Sequence, residues 1–216
     1  MDKRITILEA KNSLLNPIMF ELRDENVQQD RLRFRTNMEK VGEILAYEMS
    51  QYFPYQTQNV KTVLGELEMR LFAREPVLVS ILRAGMPLHN GFLRMLDRAD
   101  NGFISAYRRH TKGNEFIIKI EYSAIPEIED REVILIDPMI ATGRSIVLAA
   151  KEIFNLGQPR QLYLAGAVAS EDGLSYVSRN LPMAKIFVAA VDQELTAKSY
   201  IVPGLGDAGD LAFGPK

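Results

Sequence analysis

The run Val133-Ile134-Leu135-Ile136-Asp137-Pro138-Met139-Ile140-Ala141-Thr142-Gly143-Arg144-Ser145 constrains this chain more than any other. Apolar residues lead into an aspartate, a loop of small and hydroxyl residues follows, and an apolar pattern at helical spacing comes next. This reads as a buried strand, a carboxylate at its C-terminal end, a loop, and a helix whose N-terminus faces the loop. Open backbone N–H groups and the positive end of the helix dipole favour an anion such as phosphate there. The Asp137 carboxylate repels an anion, so it suits sugar hydroxyls or a metal ion instead. The same unit is also the ordinary strand-to-helix turn of α/β proteins, and spacing alone leaves both readings open. It is not a Walker A loop, because no Gly-Lys-Ser/Thr closes a Gly-x4 spacing anywhere in the chain.

The rest of the chain repeats the strand-then-helix alternation. Strands are expected at 77–82, 103–107, 133–136, 161–168 and 185–191, with helices at 87–96, 145–156 and 171–179. Such alternation implies a mostly parallel sheet with helices on both faces, and ligands in such sheets bind beyond the C-terminal strand ends. Arg83, Asp137 and Asp192 each fall just past such an end. Residues 24–50 read as one amphipathic helix capped by Asp24, and 51–62 as a polar connector. Turn chemistry at 110–114 makes 103–122 a hairpin arm.

At 216 residues the chain suits one α/β core with a small appendage. A formal net charge of −2 speaks against a nucleic-acid partner, which usually selects a strong basic excess. Without cysteine there is no disulfide framework, thiolate zinc site or cysteine nucleophile. No apolar run reaches membrane-spanning length, and Met1-Asp2-Lys3-Arg4 lacks a signal-peptide core, so the cytoplasm is the expected compartment. His89 and His110 lack metal-ligand spacing, and each reads as a surface or satisfied histidine. There is no Ser/His/Asp nucleophile set, and Ser145 reads as a phosphate donor.

Gly204-Leu205-Gly206-Asp207-Ala208-Gly209 matches G-x-G-x-x-G, but the dinucleotide reading fails on context. That fingerprint follows a first strand and precedes an acid about 20 residues on, and here the chain is nearly finished. A Gly-rich tail is one alternative. The other is a folded lid whose glycines let backbone groups approach a flat ligand closely. Arg83 has two readings as well, a surface ion pair or a planar fork on two phosphate oxygens. Asp207 reads as a turn cap or as a site carboxylate.

Four stations together resemble the uracil phosphoribosyltransferase family of the type I phosphoribosyltransferases. Ile-Asp-Pro-Met-x-Ala-Thr-Gly-x-Ser is similar to its loop for phosphoribosyl diphosphate (PRPP), and the Asp137-Pro138 pair points to the uracil branch. Tyr200 to Asp210 is similar to its uracil-binding segment. Ser80-Ile81-Leu82-Arg83-Ala84-Gly85 and Tyr107-Arg108 resemble two further stations, in family order. Weaker matches lie at Arg33-Phe34-Arg35 and Tyr47-Glu48.

The resemblance implies one domain over 1–216. Its fold would be a type I phosphoribosyltransferase core with a mostly parallel sheet, a hairpin arm, and a small hood from the N- and C-terminal segments. It implies transfer of a phosphoribosyl group from PRPP to uracil, giving UMP and diphosphate, with magnesium carried by PRPP and a homodimer or higher homo-oligomer as the assembly. Arg83, Asp137 and Asp207 would be the catalytic residues. PRPP would be held by Arg83, Arg108 (or its neighbour Arg109), Asp137, Ala141, Thr142, Gly143, Arg144, Ser145 and Asp207. Uracil would meet Ile201, Gly206, Asp207 and Ala208 in the 200–216 segment.

Three positions depart from the family pattern. Arg144 stands where the branch usually has glycine, Asn90 where it has an acid, and 108–112 is basic where its arm is acidic. Two other readings remain in view. One is a type I enzyme for another base, and the other a non-catalytic regulator of the same fold that binds nucleotide and RNA.

Overall fold

Strands whose apolar residues face both ways must be covered on both sides, and this requirement organises the molecule. The computed structural model describes residues 2–110 and 116–215, with side chains outside 106–119. The central sheet contains β1 (Ile5–Ile7), and later β4 (Val77–Leu82), β5 (Asp100–His110), β6 (Phe116–Ala124) and β7 (Glu132–Ile136). It is completed by β8 (Met139–Ile140), β9 (Gln161–Ser170) and β10 (Lys185–Asp192). Its order is β1-β10-β9-β7-β4-β5-β6, with the short β8 also paired to β9. Every pairing is parallel except β5 with β6, so the C-terminal ends of the seven parallel strands share one edge.

One face is covered by α1 (Leu15–Arg23), α2 (Arg31–Ser50), α3 (Met86–Met95) and α6 (Ala208–Phe213), and the other by α4 (Arg144–Leu156) and α5 (Glu171–Asn180). The strands alternate between the two cores. Ile134 and Ile136 of β7 join Phe34, Leu45, Leu88 and Phe92. Val133 and Leu135 join Ile146, Val147 and Ile153. Burying a side chain of this size contributes about 1.5–3 kcal/mol, which is why both layers of helices are needed.

The region expected as one helix over 24–50 is a turn over 24–30 followed by the single helix α2, and α1 lies before it. The Asp24 carboxylate accepts the amides of Asn26 (3.0 Å) and Val27 (3.1 Å), a local turn that competes with helical bonding. The cap of α2 is Asp30, which accepts the amide of Arg33 at 3.1 Å. The expected connector at 51–62 contains β2 (Tyr55–Lys61), paired antiparallel with β3 (Glu66–Phe72) as a second hairpin. Nearly all of its side chains are exposed, so it carries no apolar alternation to read. The expected arm is present, with β5 and β6 paired antiparallel and residues 111–115 outside the described residues.

Candidate functional site

Three structures meet at the C-terminal edge of the sheet: the loop after β7, the turn after β4, and the C-terminal segment. The loop after β7 is pinned to β9. The Pro138 carbonyl accepts the amides of Ala167 and Val168, both at 3.0 Å, and the Asp137 amide donates to the Ala165 carbonyl at 3.0 Å. The close approach needs small residues in β9, because a Cβ at Gly166 would stand 3.1 Å from Ile140. Asp137 is half-buried, and its Oδ1 accepts the Met139 amide at 3.3 Å.

Gly143 holds φ +71° at the cap position of α4, and Thr142 Oγ1 accepts the Arg144 amide at 3.5 Å. The first amides of a helix have no intrahelical partner. Those of α4 therefore open toward the Ala141–Ser145 loop, as the anion reading requires. The left-handed backbone at Gly143 favours glycine, and a Cβ there would lie 2.7 Å from Val177 and 2.8 Å from the Gly173 carbonyl. Arg144 opens the helix with an exposed side chain, so it stands beside the loop and not inside it.

Ser170, fully buried at the end of β9, went unread in the sequence. Its hydroxyl donates to the Ala141 carbonyl at 2.6 Å and accepts the Gly173 amide at 2.8 Å, capping α5. The available signal was a serine between a strand pattern and a helical one.

The turn after β4 lies directly over β7. A Cβ at Gly85 would stand 2.6 Å from the Ile81 carbonyl and 3.1 Å from the Ile136 carbonyl, the residue before Asp137. Arg83 leaves this turn toward the C-terminal segment. Its Nη2 donates to Asp210 Oδ1 at 2.9 Å and to the Gly214 carbonyl at 2.8 Å. Its Nε is buried without a partner among the described residues. Both readings of Arg83 are thus in play, since it forms an ion pair and still holds an unused donor.

The C-terminal segment is a folded element and not a loose tail. β12 (Ile201–Val202) pairs with β11 (Glu194–Leu195), and α6 follows. The side chains of Ile201, Leu205, Ala208 and Ala212 are packed in the core. Arg35 donates to the Ala212 carbonyl at 2.7 Å, tying α2 to α6. Asp192 anchors the near end. It takes Arg23 on both oxygens (2.8 and 3.0 Å) and accepts the Gly204 amide at 2.9 Å, while Arg23 also donates to the Gly204 carbonyl at 3.1 Å. The expected hood thus joins the N- and C-terminal segments through this clamp.

Gly206 is exposed at φ +91°, and a Cβ there would meet only Leu211, 3.8 Å away. Its surroundings are open, while its backbone angle favours glycine. Asp207 caps α6, its Oδ1 accepting the amides of Gly209 (2.9 Å) and Asp210 (3.0 Å). A cleft of about 430 Å³ runs past Gln29, Arg31, Asp207, Asp210, Leu211 and Pro215.

Of the remaining expected residues, the side chains of two are outside the described residues and one is buried. Arg108 and Arg109 lie on β5, but their side chains are outside the described residues. His89 is not on the surface. It is fully buried against Phe103 (5.3 Å between rings), its Nδ1 has no partner among the described residues, and burial pushes its pKa down.

Comparison with known proteins identifies the family. The family model described as uracil phosphoribosyltransferase matches residues 9–215. A uracil phosphoribosyltransferase of Porphyromonas gingivalis is 47% identical over 210 residues, covering 97% of each chain. One from Thermococcus gammatolerans is 40% identical over 200 residues, covering 91% of this chain and 88% of its own. A solved structure from Aquifex aeolicus superposes with a TM-score of 0.87 at 30% identity, covering 97% of this chain and 98% of its own. A hypoxanthine phosphoribosyltransferase from Staphylococcus aureus shares the fold at a TM-score of 0.50 and 12% identity, covering 73% of this chain and 74% of its own. With the loop, the turn and the C-terminal segment gathered at one sheet edge, the chain belongs to the uracil phosphoribosyltransferase family.

Proposed function

We propose that this chain transfers the phosphoribosyl group of PRPP to a ring nitrogen of uracil, giving UMP and diphosphate. The observation that carries the reading is the meeting, at one sheet edge, of an anion loop, an arginine with an unused donor, and a backbone segment with an open glycine. In the reaction the bond between the ribose carbon and the diphosphate oxygen breaks, and a carbon–nitrogen bond to uracil forms as the nitrogen loses its proton. The carbon gains positive charge as diphosphate departs, so the protein's task is alignment and charge stabilisation.

The amides and hydroxyls of Ala141 to Ser145 hold the 5′-phosphate, and Asp137 holds the ribose hydroxyls. The part-exposed guanidinium of Arg83 faces the diphosphate while Asp210 and Gly214 fix its Nη2. Backbone groups of Ile201, Gly206, Asp207 and Ala208 read the donor and acceptor row of uracil. No covalent enzyme intermediate is required.

No cluster of three or more His, Asp or Glu able to hold a metal ion exists among the described residues. The single carboxylates of Asp137 and Asp207 fit magnesium that arrives on PRPP, since this ion commonly takes one or two carboxylates beside substrate phosphates. When bound it supplies charge neutralisation to the diphosphate.

We also assign this chain to a homodimer. The exposed Tyr55, Leu67, Met69 and Leu71 of the β2–β3 hairpin support pairing. A cytoplasmic place follows from a charged co-substrate that does not cross membranes unaided. No helix among the described residues is long and apolar enough to cross one.

The test is incubation with PRPP, Mg²⁺ and each nucleobase in turn. UMP from uracil should exceed product from hypoxanthine, adenine, cytosine or orotate. A purine preference, or no turnover with any base, overturns the reading.

A further inference from the structure

We propose that Ser170 is a positioning residue for the 5′-phosphate, acting through the Ala141 carbonyl. The inference rests on the phosphate-loop reading above. Ser170 sits at the junction of β9 and α5, and it is fully buried. It donates to the Ala141 carbonyl at 2.6 Å, a short contact for a neutral hydroxyl.

The consequence follows from peptide geometry. The Ala141–Thr142 bond is trans, so the carbonyl of Ala141 and the amide N–H of Thr142 point in opposite directions from one plane. Holding the carbonyl toward α5 therefore holds the Thr142 N–H away from α5, toward the open side of the loop.

The acceptor side of Ser170 strengthens the aim. Its oxygen takes the Gly173 amide, which fixes the hydroxyl so that its proton faces Ala141. Gly173 closes the same contact by shape. A Cβ there would lie 2.2 Å from the Ala141 carbonyl and 2.5 Å from the Ile140 carbonyl, so glycine lets the first turn of α5 seat directly on the loop. Gly143 answers from the other side, leaving no room for a Cβ beside the Gly173 carbonyl and Val177. The loop is thus held by a hydrogen bond and two steric fits, and on the α5 side these come from Ser170 and Gly173, which are outside the residues assigned to the phosphate. A loop that presents its amides before the anion arrives binds it without first ordering itself.

The prediction is selective among ligands. PRPP and UMP share the 5′-phosphate, whereas diphosphate and uracil do not bear it. In Ser170→Ala the KM for PRPP and the Kd for UMP should rise together by about tenfold, the scale of one misaimed hydrogen bond to a charged group. The KM for uracil and inhibition by diphosphate should stay unchanged. Ser170→Thr, which keeps donor and acceptor, should remain within about threefold of the parent.

A general loss of structure would weaken all four ligands, and that result overturns the proposal, as does an unchanged UMP affinity in a folded Ser170→Ala. If Ser170→Ala does not fold, Ser170→Cys serves, because a thiol of similar shape is a weaker donor. It should shift PRPP and UMP partway, and no shift refutes the aim. UMP and ribose 5-phosphate binding can be followed by calorimetry without turnover. If the parent protein turns over no base, the enzyme reading falls, while the Ser170 inference is still decided by those affinities.

Discussion

The clamp between Arg23, Asp192 and Gly204 gives the sharpest quantitative test. Asp192 is 8% exposed and Arg23 23% exposed, so the pair is largely desolvated and joined by two bonds of 2.8 and 3.0 Å. Asp192→Asn keeps the shape and can still accept one donor, but its amide N–H2 then faces the guanidinium. Breaking a buried pair from one side costs about 3–5 kcal/mol. Arg23 keeps its bond to the Gly204 carbonyl and some water contact, so a loss of about 2–3 kcal/mol is expected here. With a urea m-value of about 2–3 kcal/mol/M for a domain of this size, the unfolding midpoint should fall by about 1 M with the slope unchanged. The same change frees the Gly204 end of the base segment, so the KM for uracil should rise more than that for PRPP. A double-mutant cycle with Arg23→Ala should show strong coupling between the two positions. A midpoint shift below about 0.3 M with an unchanged uracil KM would refute the clamp as an anchor.

Thr142→Ala should weaken PRPP binding by about 1–3 kcal/mol, read by calorimetry, while urea unfolding stays near the parent. Leu205 is packed in the core and Gly206 is exposed at φ +91°, so the two neighbours should separate cleanly. Leu205→Ala should cost about 2–5 kcal/mol of stability, whereas Gly206→Val should raise the uracil KM through its strained backbone. Removing 200–216 should yield an aggregating chain and not a folded core, because Ile201, Leu205, Ala208 and Ala212 leave their packing with it; a soluble, cooperatively unfolding truncation would contradict this. The Glu21 carboxyl is held down to about 2 by hydrogen bonds from Arg33 and Asn37. Its folded pKa lies below the unfolded one, so its contribution is complete above about pH 4.5 and is lost as pH falls toward 2. Glu21→Gln should flatten that part of the stability–pH curve, and an unchanged curve would show the contact to be idle.

The local chemistry of the phosphate loop was readable because it is contiguous. Asp137, the small loop residues and the helix after Gly143 follow one another in sequence, and strand and helix periods mark both flanks. Gly204, Gly206 and Asp207 were readable as a folded segment for the same reason. The alternation of Val133 and Leu135 with Ile134 and Ile136 was absent as a pattern, since both faces are buried, yet the apolar run itself identified the strand.

Tertiary structure decided what depends on partners far along the chain. Arg23 lies 169 residues from Asp192, and Arg83 lies 127 from Asp210, so nothing in either neighbourhood announces the pairing. Ser170 looks like any helix cap until the sheet brings Ala141 beside it. The β2–β3 hairpin was invisible because its exposed faces select no apolar period, and Asp24 drew a helix start that Asp30 supplies. Sequence fixes the kinds of local structure a segment favours through propensity and periodicity. Which carbonyl a hydroxyl holds, or which arginine meets which carboxylate, is set only when the parallel sheet gathers its strand ends at one edge.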